Sequence, residues 1–157
     1  MSRVQDELSP KNDARLGVAG LDTVLGGGFA RGRLYLVEGE PGAGKTTLAL
    51  QFLMSGAAAG EKSLYVTLSE TEQELREGAA SHGWTLGPNI AVRELVPPES
   101  LLDHEQQQSL VYASEIELGE TMQKLFAMIE ELKTDRVVLD SRSEVRLLAQ
   151  GSLRYRR

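Results

Sequence analysis

The residues best suited to chemistry lie between Gly39 and Thr46, where the sequence reads GEPGAGKT and matches G-x-x-x-x-G-K-[ST] in full. Glycines at this spacing let successive backbone N–H groups turn inward around phosphate oxygens, and a helix N-terminus adds a favourable dipole. Lys45 would reach the β- and γ-phosphates, and the Thr46 hydroxyl is a ligand for Mg²⁺. The pattern predicts an ATP and Mg²⁺ site formed by Gly39, Glu40, Pro41, Gly42, Ala43, Gly44, Lys45, Thr46 and Thr47.

The setting of this phosphate-binding loop, or P-loop, supports the prediction. The apolar run at 34–37 predicts a strand before the loop, and the helical spacing of apolar residues over 45–59 predicts a helix after it. A glycine-rich turn with an incidental lysine is the alternative explanation. So many flanking requirements are met together that we favour the nucleotide site.

Two acidic residues at the ends of predicted strands could complete the site. Asp140 follows an apolar run at 137–139, where it can share the Mg²⁺ shell with Thr46, although a strand-end aspartate is also a common turn or N-cap residue. Glu70 ends a second predicted strand and could polarise the attacking water. Helix capping explains Glu70 equally well. We predict catalytic roles for Glu70 and Lys45 and metal binding by Thr46 and Asp140.

The elements that must position these residues alternate between strand and helix. Apolar runs predict strands at 34–37, 63–68, 90–96 and 136–140, and glycines predict turns at 20–22, 26–28 and 32. Helices are predicted at 45–59 with Gly60 as the stop, from the Thr71–Glu74 capping box to about 82, and from a Ser114–Glu117 capping box after a polar loop at 99–113. The core face of the last helix consists of Leu118, Met122, Leu125, Ile129 and Leu132. Strands and helices in this order predict a mainly parallel sheet covered on both faces.

Length and composition exclude several classes of protein. The 157 residues suit one domain, and 23 acidic against 17 basic residues give a net charge of -6, the wrong sign for a nucleic-acid-binding protein. Without cysteine the chain has no disulfide framework and no thiolate metal site. No apolar run approaches the roughly 18 residues of a membrane span, so we expect a cytoplasmic protein. Residues 1–14 are polar and are expected to form a flexible arm.

Over residues 15–157 the sequence resembles the KaiC-type branch of the RecA-like ATPases. The resemblance rests on 20–22, 26–28, 39–46, 64–74, 81–84 and 137–141. It implies a RecA-like αβα sandwich that binds ATP and Mg²⁺ between the subunits of a ring, commonly hexameric. Some members also phosphorylate their own Ser or Thr residues, so the resemblance implies possible autophosphorylation here, and we expect a regulatory or signalling role. Protein partners are not indicated.

The sequence departs from the family pattern beside the predicted water-activating residue. After the second strand the family has a pair of acidic residues, but this chain has Ser69 and Glu70. A serine hydroxyl can orient water but cannot take its proton at neutral pH, so hydrolysis is expected to be slow or to rest on Glu70. Two alternatives remain open: an ATP-binding regulatory module with negligible turnover, and a RecA-type DNA-processing ATPase. Net acidity and the lack of an aromatic and basic cluster argue against the latter.

After Asp140 the sequence offers no further apolar strand. Residues 141–157 are polar, and their arginines suit a solvated helical face. In the RecA-like strand order, the next strand lies between the strand before the P-loop and the strand ending in Asp140. We therefore expect an ATPase domain at 15–157 that is truncated after the Asp140 strand, with two unpaired inner edges that promote association.

Overall fold

A computed structural model of the chain describes residues 13–95 and 110–140. Its elements in chain order are β1 (Asp13–Ala14), α1 (Ala19–Val24), β2 (Phe29–Ala30), α2 (Lys45–Ala58), β3 (Ser63–Thr67), α3 (Glu72–Ser81), β4 (Ile90–Glu94), α4 (Leu110–Leu132) and β5 (Arg136–Asp140). Strands β4, β3 and β5 form a parallel sheet in that order, and β1 pairs with β2 antiparallel. Ser63 in β3 is in register with Ile90 and with Arg136.

The central strand β3 separates two hydrophobic clusters, and all five of its residues are buried. Side chains alternate along a strand, so Tyr65 faces one side of the sheet while Leu64 and Val66 face the other. Tyr65 packs with residues of α2 and α3, whereas Leu64 and Val66 pack with Leu125 of α4. Helices cover both faces of a parallel sheet, which confirms the predicted αβα sandwich.

Local sequence signals explain where α2 and α3 begin and end. Gly44 precedes α2 at a φ of 85°, and Gly60 lies beyond its end at 83°, the left-handed region that glycine tolerates best. Thr71 caps α3 through the complete predicted capping box, in which its hydroxyl accepts from the backbone N–H of Glu74. The helix predictions at both positions are confirmed to within a residue or two.

A buried arginine joins the N-terminal segment to the sheet. Arg136 begins β5 at 4% exposure; its Nε donates to Glu61, and its guanidinium also donates to the carbonyls of Arg15 and Phe52. Arg31 pairs with the same Glu61 carboxylate. Burial raises the pKa of Glu61, but hydrogen bonds and charge from the two arginines outweigh it, so the pKa lies below its ordinary value.

Close backbone approach explains one of the three predicted glycine turns, and another is part of a helix. Gly28 has a φ of 139°, and a Cβ there would collide with the carbonyl of Ala14. The turn expected at 20–22 is wrong, because these residues lie inside α1. The carboxylate of Asp22 accepts from the backbone N–H groups of Leu16 and Gly17, which holds that helix against the preceding chain. Asp13 and Ala14, expected in the flexible arm, instead form β1.

The predicted strand at 34–37 is not formed. The segment has no ladder partner among the described residues, and the exposed fraction of Leu34 is 99%. A strand exists only with a neighbour to pair with, and apolar content cannot supply that neighbour.

The last helix begins earlier than its capping box predicts. Helix α4 starts at Leu110, so residues 110–113 are helical rather than loop and Ser114 lies inside the helix. Leucine and alanine are good helix formers, and Ser and Glu three residues apart also fit a helix interior. Its predicted core face is confirmed for Met122, Leu125, Ile129 and Leu132. The predictions for 1–12, 99–109 and 141–157, and for the Leu118 side chain, lie outside the described part.

Candidate nucleotide site

The P-loop connects the exposed 34–37 segment to the first turn of α2. Gly42 and Gly44 adopt φ angles of 83° and 85°, and the N–H of Ala43 donates to the carbonyl of Glu40 across 3.0 Å. Side chains at these two glycine positions would strain the backbone. The loop therefore takes the turned conformation that the motif predicts.

Lys45 lies over its own loop. Its ammonium Nζ donates to the carbonyl oxygens of Gly39 and Glu40 at 2.7 and 2.9 Å. These contacts hold the positive charge at the mouth of the loop. A phosphate arriving there would meet a charged donor already in place.

The loop and the end of the sheet meet through Thr46 and Asp140. Thr46 Oγ1 donates to Asp140 Oδ2 across 3.2 Å, although the two residues are 94 positions apart in sequence. Thr46 opens α2 while Asp140 ends β5, so the packing of that helix on the sheet sets their separation. A hydroxyl and a carboxylate oxygen together form the hard donor set that Mg²⁺ prefers, and Mg²⁺ usually takes its remaining ligands from phosphates and water. These residues fit the ion.

Tyr65 also contacts Asp140, and the sequence motifs did not predict this residue. Its side chain is fully buried, and its hydroxyl donates to Asp140 Oδ2, the oxygen that Thr46 also contacts. Burial raises the pKa of Tyr65 strongly, and the hydrogen bond and charge of Asp140 and the charge of Glu70 raise it further. One signal could have revealed it: a tyrosine in an apolar central strand needs a partner for its hydroxyl.

Glu70 lies in the turn between β3 and α3. The Thr67 hydroxyl accepts from the backbone N–H groups of Ser69 and Glu70 at 3.3 and 2.9 Å, which fixes the turn. Glu70 lines a cavity of about 380 Å³ that reaches the P-loop helix; the cavity is lined by Thr46, Thr47, Leu50, Ser69, Glu70, Glu74, Leu75, Gly78, Ser81 and His82. Ser69 is exposed at the same place. The structure thus brings Glu70 to the cavity that Thr46 borders.

The described helices include none that is long and apolar enough to cross a membrane.

A turned glycine loop, a lysine at its mouth and a helix on a parallel sheet define a P-loop domain of the α/β class. Comparison with known families agrees: the family described as "ATPase: KaiC" matches residues 14–156. The chain belongs to this family of ATPases.

Several known proteins are similar to this chain in sequence. The chain is 32% identical over 125 residues to the circadian clock oscillator protein KaiC of Thermostichus vulcanus, covering 79% of this chain and 24% of that protein. It is 26% identical over 131 residues to a UPF0273 protein of Thermotoga maritima, covering 81% and 54%. A UPF0273 protein of Pyrococcus horikoshii is 38% identical over 74 residues, or 47% and 30% of the two chains. The chain thus spans about a quarter of the clock-protein length and about half of the Thermotoga protein.

Proposed function

We propose that this chain binds ATP with Mg²⁺ at its P-loop and hydrolyses it slowly with the help of Glu70. The observation that carries the proposal is the contact between Thr46 and Asp140, because two sequence motifs expected to share one Mg²⁺ ion meet within hydrogen-bond distance. The loop binds the phosphates through its backbone N–H groups and Lys45. When held by Thr46 and Asp140, Mg²⁺ would neutralise charge that develops on the phosphates during transfer.

Each residue has a defined part in this proposal. Lys45 exchanges its two carbonyl contacts for the β- and γ-phosphates, which are stronger acceptors. Glu70 accepts a proton from water in the adjoining cavity, and Ser69 orients that water. A lone carboxylate in place of an acidic pair is the reason to expect slow turnover.

Lys45→Ala tests nucleotide binding. Removing the ammonium should weaken ATP binding tenfold or more, since charge-assisted hydrogen bonds contribute about 1.5–3 kcal/mol each. Titration with a fluorescent ATP analogue measures the loss, and Lys62→Ala, at an exposed lysine outside the loop, is the matched control. Unchanged affinity in a folded Lys45→Ala protein would refute the assignment.

Glu70→Gln and Ser69→Glu test hydrolysis. General-base assistance is worth about 10²- to 10⁴-fold, so Glu70→Gln should nearly abolish phosphate release while ATP binding is retained. Ser69→Glu should accelerate release by restoring the acidic pair. Glu77→Gln, on the exposed surface of α3, is the control. A Glu70→Gln protein that turns over at the parent rate would leave Glu70 with its capping role alone.

The exposed Ser69 favours a second candidate, an ATP-binding regulatory module with negligible turnover. The phosphate-release assay separates the two, because a module binds ATP without releasing phosphate. With ATP labelled in the γ-phosphate, the same assay detects self-phosphorylation on Ser or Thr as label retained on the protein. The resemblance to KaiC-type ATPases also supports a regulatory role in the cytoplasm and a ring of subunits. Light scattering with and without Mg²⁺ and ATP tests the ring.

A further inference from the structure

The hydroxyl of Tyr65 lies at the centre of the candidate site although the rest of the residue belongs to the core. The ring packs in the cluster that contains Leu50 and Leu53 of α2. Its hydroxyl donates to Asp140 Oδ2, which accepts the Thr46 hydroxyl as well. One carboxylate oxygen thus receives two donors from two different elements.

Packing alone does not require this hydroxyl. Phenylalanine would fill the same volume without a polar atom, and burying a hydroxyl costs free energy unless a partner compensates. The partner here is the carboxylate that the proposed function assigns to Mg²⁺. Since the ring is packed in the core, its hydroxyl has a fixed position beside the carboxylate that it contacts.

We infer that Tyr65 is a positioning residue that fixes the rotamer of Asp140 for Mg²⁺ binding. This inference rests on the proposed function of the site. Tyr65 and Thr46 both donate to Oδ2, so the carboxylate keeps one orientation toward Thr46, and its other oxygen would be available to a cation. The lone pairs of the Thr46 hydroxyl remain available as well, because in this contact the hydroxyl is the donor.

Tyr65→Phe tests the inference by removing one oxygen atom. Partners of metal-binding carboxylates typically change metal affinity about 10- to 100-fold, so the Mg²⁺ concentration that half-saturates nucleotide binding should rise about tenfold. The probe is a fluorescent ATP analogue titrated with Mg²⁺, and with Mn²⁺ followed by electron paramagnetic resonance. Binding of the analogue in excess chelator should match the parent, because the P-loop and Lys45 are untouched.

Tyr35→Phe is the matched control, since it removes a phenol hydroxyl that contacts only the Ala30 carbonyl among the described residues. It should leave the Mg²⁺ dependence unchanged. A Tyr65→Phe protein with the parent's Mg²⁺ dependence would overturn the inference. So would equal losses of binding with and without Mg²⁺, the result expected of a residue that only packs.

A double-substitution cycle separates an effect of Tyr65→Phe that acts through Asp140 from a general effect on folding. If Tyr65 acts through Asp140, Tyr65→Phe should not shift the Mg²⁺ dependence further once Asp140→Asn is present. A further shift of the same size would contradict the inference. If the parent protein binds the analogue without any dependence on Mg²⁺, the proposed metal site fails instead.

Discussion

Two apolar segments of nearly identical composition, LYLV at 34–37 and LYVT at 64–67, have opposite environments in this protein. Leu64 is fully buried in β3, whereas Leu34 is 99% exposed just before the P-loop. Strand β3 has parallel neighbours on both sides and helices over both faces. The burial of a parallel strand is therefore conferred by its neighbours, and similar side chains without them remain in solvent.

The same difference describes the two flanks of the P-loop. On the helix side, Thr46 contacts Asp140 and α2 packs against the sheet. On the strand side, the described contacts are local: Tyr35 stacks on Phe29 and donates to the Ala30 carbonyl. The loop is therefore anchored to the sheet from its helix side. The outer edge of β5 has no partner strand among the described residues. Unpaired apolar edges promote association, which remains a prediction for the 157-residue chain.

The comparison of the 34–37 and 64–67 segments predicts the largest difference in the free energy of unfolding for Leu64→Ala and Leu36→Ala. A fully buried leucine typically costs about 2–5 kcal/mol on truncation, whereas an exposed one stays within about 0.5 kcal/mol. Leu64 is fully buried and Leu36 is 79% exposed. Urea unfolding of both variants and the parent gives the two free energies. A cost of several kcal/mol for Leu36→Ala would show that the 34–37 segment is buried in solution.

The close approach between α2 and β5 gives a second test, on the anchored side of the loop. A Cβ at Gly56 would lie 2.5 Å from Arg136 Nε and 3.0 Å from Glu61 Oε2, so the ion pair would have to shift. Gly56→Ala should lower the free energy of unfolding by at least about 2 kcal/mol, since overpacking and displacing a buried charge both cost.

Gly119→Ala is the matched control for Gly56→Ala. Gly119 is also helical and has open space at its Cβ, so the helix propensity of alanine should stabilise the protein by about 0.5–1 kcal/mol. Thermal melting compares both variants with the parent. Equal melting temperatures for the two variants would mean that α2 can separate from Arg136 at no cost.

Local signals were sufficient for much of this fold. The Thr71 capping box, the Gly60 stop and the spacing along α4 each depend on residues within a few positions, and all three predictions are confirmed. The prediction of a strand at 34–37 was wrong because strand formation depends on a partner strand that the side chains of the segment do not specify. The predicted start of α4 at Ser114 was wrong because a capping pattern is also compatible with the interior of a helix.

Some residues of the candidate site could be predicted from the sequence, and others could not. Lys45, Thr46 and Asp140 belong to sequence motifs, so the sequence alone could predict them as site residues. Tyr65 has no such spacing, and its role depends on a hydroxyl contact made 75 residues away. The pairing of Glu61 with Arg136, also 75 residues apart, was missed for the same reason. Charged partners distant in sequence become visible only once the strands are in register.

The smallest expected effect concerns acid stability, and it tests whether the anchored side relies on the Glu61 charge. The folded-state pKa of Glu61 lies below the ordinary value of 4.5, so its charged contacts stabilise the fold fully above that pH. As pH falls from 4.5 through the lower folded-state pKa, the carboxylate binds a proton and this contribution is lost. The parent should therefore lose its advantage over Glu61→Gln as the pH falls below about 4.5, as free energies of unfolding in urea at successive pH values would show. Glu77→Gln, at an exposed glutamate on α3, is the control for the substitution itself. If the difference between the parent and Glu61→Gln does not change with pH, hydrogen bonds of either protonation state hold Arg136, and the charge of Glu61 does not anchor this side of the loop.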